Sequence, residues 1–172
     1  KTLIANHRPE VLQSLLADDS IQVGFADSGA HLRNMGFYNF PLHLLRMARD
    51  TGFISLEKAV AKLTGELGSW FGLDAGTLTV GDRADIAIVD PDGLDDSLDA
   101  YHEAPLSALD GVSRIVRRND RAVAATIIGG RVASRYGELS ADLGRDQRYG
   151  RFLRAGVEHR DQVPSDAQRA TV

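Results

Sequence analysis

The run Ile21-Gln22-Val23-Gly24-Phe25-Ala26 constrains the fold more than any other stretch of this chain. A helical pattern precedes it. Pro9 suits the first turn of a helix, where its missing N–H costs no hydrogen bond. Val11, Leu12, Leu15 and Leu16 then recur at helical spacing, and Asp18-Asp19-Ser20 ends the pattern. A helix, a short loop and an apolar run closed by turn residues is the rhythm of an α/β unit. The run is therefore expected to be a buried strand. In α/β folds the carboxyl end of a strand is where chemistry is placed. This run stops at Asp27-Ser28-Gly29-Ala30-His31.

Downstream, helical patterns alternate with stop signals. Pro41 to Asp50 reads as a helix closed by Gly52. Ser55 is a good N-cap for a third helix with Leu56, Ala59, Val60 and Leu63 on its apolar stripe. Thr64-Gly65 breaks the pattern, which resumes through Leu67, Trp70 and Phe71 until Gly72. Strand signals take over afterwards. Ile86 to Val89 is expected as a short buried strand and residues 92–111 as an Asp-rich loop. Val112 to Val116 reads as a strand, and Ala122–Ile128 with Arg131–Ser134 as a hairpin turning at Gly129-Gly130. A helix is possible near Gln147 to Arg154 before a polar tail. The expected organisation is 1–73, 74–136 and a polar 137–172.

Composition excludes several classes. The net charge of -4 argues against a nucleic-acid binder, which would carry a basic excess. Arg114, Arg117, Arg118 and Arg121 alternate with apolar residues and read as the wet face of strands. No cysteine is present, which removes disulfides and thiol nucleophiles and fits a cytoplasmic setting. No apolar stretch is long enough to span a bilayer. The absence of an initial methionine suggests a piece of a longer protein.

The residues offering chemistry cluster after the apolar run. Asp27 could bind a divalent metal or accept a proton from a metal-bound water; Asp-Ser-Gly is equally a strong turn tripeptide. His31 could ligate a metal, bind an anion or donate a proton, or be a plain surface residue. Arg33 and Asn34, with Phe37, Tyr38 and Phe40, could form a substrate pocket, the guanidinium for a carboxylate and the rings for an acyl chain. Aromatic packing under a loop explains the same residues. The Asp90, Asp92, Asp95, Asp96, Asp99 loop fails calcium-loop spacing, because Leu94 occupies a ligand slot and no glutamate closes it.

Three stretches together resemble the amidohydrolase superfamily, in particular the D-aminoacylase (N-acyl-D-amino-acid deacylase) group. They are Val23 to His31, Leu56 to Leu73 ending in Phe71-Gly72-Leu73, and Gly76-x-Leu78-x-x-Gly81-x-x-Ala84-Asp85-Ile86-Ala87-Ile88-Val89-Asp90. The likeness covers roughly residues 9–140 and matches the C-terminal portion of such enzymes. It implies an α/β fold: the last strand–helix units of a (β/α)8 TIM-like barrel, plus the C-terminal strands of a small β-sandwich. It implies hydrolysis of the amide of an N-acyl (D-)amino acid by a zinc-activated water. Asp27 would be metal ligand and general base, and His31, Arg33 and Asn34 would lie at the substrate. The family's remaining zinc ligands have no matching position here, and a zinc site needs three or four ligands. The 172 residues alone are therefore expected to be inactive, with the remainder of the polypeptide or a partner chain completing the site. Two other readings stand beside this one. One is a dihydroorotase- or hydantoinase-like enzyme acting on a cyclic amide. The other is a non-catalytic assembly module.

Overall fold

The structure is a computed structural model that describes residues 8–26, 28, 38–106, 111–116, 119–145 and 148–156. Four helices come first: α1 (Pro9–Ala17), α2 (Phe40–Thr51), α3 (Leu56–Leu63) and α4 (Gly65–Phe71). Six strands follow: β1 (Ile86–Val89), β2 (His102–Leu106), β3 (Val112–Val116), β4 (Val123–Ile128), β5 (Arg131–Arg135) and β6 (Glu138–Leu139). Two 3-10 turns, Pro91–Gly93 and Asp96–Asp99, lie between β1 and β2.

The helices stop where their local chemistry dictates. Ser55 accepts the Lys58 N–H at 3.1 Å and caps α3. Gly72 closes α4 at φ +59°, a left-handed conformation that costs glycine little. Gly68 lies so close under the Ala75 carbonyl that a Cβ there would collide with it. That contact folds the chain after α4 back along the helix.

The expected (β/α)8 architecture is not what these residues form. Every strand pair among the described residues is antiparallel, in a sheet ordered β1-β4-β5-β6 and a separate β2-β3 ribbon. Among the described residues the helices precede the strands instead of alternating with them, with no repeating strand–helix unit. Residues 21–26 carry no ladder. A short apolar run reports only that a segment is partly covered, not which groups pair with its backbone. Here a side chain does part of that pairing, since Lys62 Nζ donates to the Ile21 carbonyl at 3.1 Å.

Other expectations meet mixed outcomes. The break between α3 and α4, the 112–116 strand and the Gly129-Gly130 hairpin all form. β1 forms, but as an edge strand with Ala87 and Ile88 exposed rather than buried. The Asp-rich loop contains an unexpected strand, β2, because Pro105 and the charged Glu103 hid its pattern. Residues 148–156 form no helix.

The core lies between α2, α3 and the acidic loop. Leu44, Leu45, Ala48 and Ala59 pack with Leu94, Leu98 and Ala122, and Leu16, Val23, Phe53 and Val89 lean on them. Among the described residues four large aliphatic side chains are buried, Leu44, Leu45, Leu94 and Leu98, the last of them fully.

Candidate functional site

Asp27, His31, Arg33 and Asn34 lie outside the described residues. The structure describes what leads into and out of that segment. On the entry side, Lys62 is wholly buried and its Nζ donates to the Asp18 carbonyl at 2.7 Å as well as to Ile21. Glu66 Oε2 lies 3.9 Å from the same ammonium, one turn along the helices. A buried ammonium is costly unless it is hydrogen-bonded and its charge is paired; here two carbonyls accept from it and the Glu66 carboxylate supplies the opposite charge. The arrangement clamps residues 18–21 onto α3. Gly24 then rests on Leu67 of α4, and Phe25 meets Phe71 edge-on, with ring centroids 6.1 Å apart and planes at 88°. Residues 21–25 are thus fixed from behind by α3 and α4.

The loop before this run is held by charge. Lys58 Nζ reaches Asp19 at 2.7 Å and Glu66 at 3.0 Å. Those two carboxylates, Asp19 foremost, raise the Lys58 ammonium above its usual value. The Ser20 hydroxyl and then the Ser20 N–H lower the Asp18 carboxyl. These groups are exposed, so water screens their contribution to stability.

On the exit side, Asn39 is buried and its Nδ2 donates to the Leu98 carbonyl at 2.8 Å. The Tyr38 ring lies under the Arg114 guanidinium at 5.5 Å. Arg49 donates to the Pro91 and Leu94 carbonyls at 2.6 and 2.7 Å. Arg46 donates to the Asp95 carbonyl at 3.0 Å and contacts Asp96. The acidic loop is therefore an α2-bound structural element. Asp90 and Asp95 cap its two 3-10 turns by accepting the Asp92 and Ser97 N–H groups. Among the described residues no group of three or more His, Asp or Glu side chains could hold a metal ion.

An open cleft of about 410 Å³ lies beside the β4–β5 turn. Asp74, Arg83, Gly129, Gly130, Tyr149 and Arg151 contribute to its walls. Asp85 accepts the Gly129 N–H at 2.7 Å and pairs with Arg83 Nε at 2.6 Å. That approach is too poorly directed to count as a hydrogen bond, and Arg83 Nη1 is likewise unpaired and buried. An atom covered so deeply is beyond the reach of a ligand oxygen unless the side chain moves. Asp85 therefore serves to tie β1 to the β4–β5 turn.

Lys62, Asn39, Arg46 and Arg49 were not singled out by the sequence pattern. A signal for Lys62 existed: it falls three residues after Ala59 and four before Glu66, on the face that becomes buried.

The chain is similar to three mycobacterial proteins. Uncharacterized proteins of Mycobacterium bovis and of Mycobacterium tuberculosis strains H37Rv and CDC 1551 are each 51% identical over 164 residues. The match covers 90% of this chain and 27% of each relative. The chain thus spans about a quarter of the length of the curated relatives it matches. No family model matches, and neither does any solved structure. No helix among the described residues is long and apolar enough to cross a membrane.

Proposed function

We propose that this chain is part of a metal-dependent amidohydrolase that hydrolyses the amide bond of N-acyl (D-)amino acids. The observation that carries the reading is the treatment of the segment entering Asp27-Ser28-Gly29-Ala30-His31. A wholly buried lysine, a glycine–leucine contact and an aromatic pair all fix the residues immediately before it. Such support suits a segment whose next side chain must be delivered to one place. The resemblance in sequence supplies the roles: Asp27 as metal ligand and general base, Arg33 for the substrate carboxylate, His31 and Asn34 beside it.

The described residues do not by themselves make a zinc site, because they hold no cluster of three ligands. Asp27 is the residue of this chain assigned to the ion. The other ligands are assigned to the remainder of the polypeptide or to a partner chain. The proposal also places the protein in the cytoplasm, in keeping with its lack of cysteine.

Assays of the intact polypeptide carrying this sequence, supplied with zinc, test the reading. N-acetyl-D-amino acids are offered beside their L forms and beside dihydroorotate and hydantoin. Turnover of the linear N-acyl compounds is expected. Turnover confined to the cyclic amides, or to neither class, would overturn the proposal.

A further inference from the structure

We infer that the surface marked by the Phe25–Phe71 pair and the adjoining Trp70 is where the rest of a longer polypeptide seats. Phe25 is 84% exposed, Trp70 68% and Phe71 39%. Phe25 and Phe71 are in contact, and Trp70 directly precedes Phe71 on α4. Large aromatic rings left in water at this level mark interaction surfaces rather than ordinary protein exterior.

The face is also pre-set. Leu67 supports Gly24 from behind, and Lys62 anchors the backbone three residues earlier. The chain after α4 is folded back against Gly68, and Gly156 N–H donates to the Phe71 carbonyl at 3.2 Å. A partner meeting this face has little ordering left to impose, which favours tight docking. Nearby ion pairs, Lys58–Glu66 and Arg151–Asp74, supply polar surroundings of the kind that border apolar interface centres.

The occupant follows from the relatives. A match covering 90% of this chain includes residues 25, 70 and 71 wherever it starts, and it fills only 27% of each relative. This segment therefore occurs within polypeptides nearly four times the matched length. The remaining chain, presenting apolar side chains, is the partner placed on this face. The inference does not rest on the amide-hydrolysis reading, and its test measures no activity.

The test is hydroxyl-radical footprinting, read by mass spectrometry, on the intact Mycobacterium tuberculosis relative. Trp is placed at the position aligned with Trp70 and Phe at those aligned with Phe25 and Phe71 where they differ. Buried Leu98 and exposed Leu139 supply the internal references at their own aligned positions. The inference expects the three aromatic positions to be protected to within about twofold of the Leu98 position, as interface centres pack like interiors. Reactivity at the level of the Leu139 position would overturn it. So would protection that disappears on dilution, which would make the occupant a second copy.

Discussion

The helical half and the strand half of this molecule are stabilised differently. Between α2, α3 and the acidic loop, leucines interlock and arginines bind backbone carbonyls. In the sheet, the buried side chains of β4 and β5 are two alanines, Ala125 and Ala133, and the outer strands carry exposed Ile88 and Leu139. One half has a core of its own. The other is a ladder of backbone hydrogen bonds over a thin apolar layer. A small antiparallel sheet of this kind draws its stability from what covers its faces.

Leu98→Ala should expose the contrast most strongly. It removes a side chain with no exposed surface from the centre of the core, at a cost of about 3 kcal/mol by urea denaturation. Leu139→Ala, at a site 72% exposed, should stay within about 0.5 kcal/mol of the parent. Equal effects would break the comparison.

Lys62→Met tests the clamp at the edge of the helical half. It keeps the aliphatic length and strips the donor from the Asp18 and Ile21 carbonyls. A cost of about 1–3 kcal/mol is expected, the penalty of leaving the part-buried Ile21 carbonyl without its donor, while the Asp18 carbonyl keeps the Ile21 N–H. A neutral outcome would show that water replaces the ammonium. Ser55→Ala removes only a cap and should cost about 1 kcal/mol in the same measurement.

The smallest effect is that of acid. Hydrogen bonds from Ser20, Lys58, Arg49 and Ser97 lower the carboxyls of Asp18, Asp19, Asp50 and Asp95 respectively. A carboxyl depressed in the folded state adds stability above its unfolded value near 3.9, and that stability is lost as pH falls through the folded value. Thermal midpoints should therefore be flat from neutral pH to about 5 and decline below about 4. Because Asp18 and Asp19 follow α1 and Asp50 lies in the last turn of α2, the decline should be seen first in helical signal. Simultaneous loss of sheet signal would argue that the two halves unfold together.

The sequence disclosed those parts of the fold that depend on local chemistry. Ser55, Gly52, Gly72 and the Gly129-Gly130 pair each dictate a cap or a turn through their own backbone preferences. It misled where pairing is long-range. Nothing in Ile21–Ala26 reveals that a lysine forty-one residues away takes the place of a neighbouring strand for Ile21. The site was legible as residue types, since Asp27 and His31 carry obvious chemistry. What surrounds them could not be read, because the ligands and walls such a site needs are not encoded near them in the chain.

The most direct test of the central claim is the substitution of Asp27 in the intact zinc-supplied polypeptide. Steady-state hydrolysis of an N-acetyl-D-amino acid is measured for the parent, Asp27→Ala and Asp27→Asn. In both variants kcat should fall about a hundredfold or more, as expected for loss of a general base, while the folded content is unchanged. A rate close to that of the parent in either variant would contradict the claim.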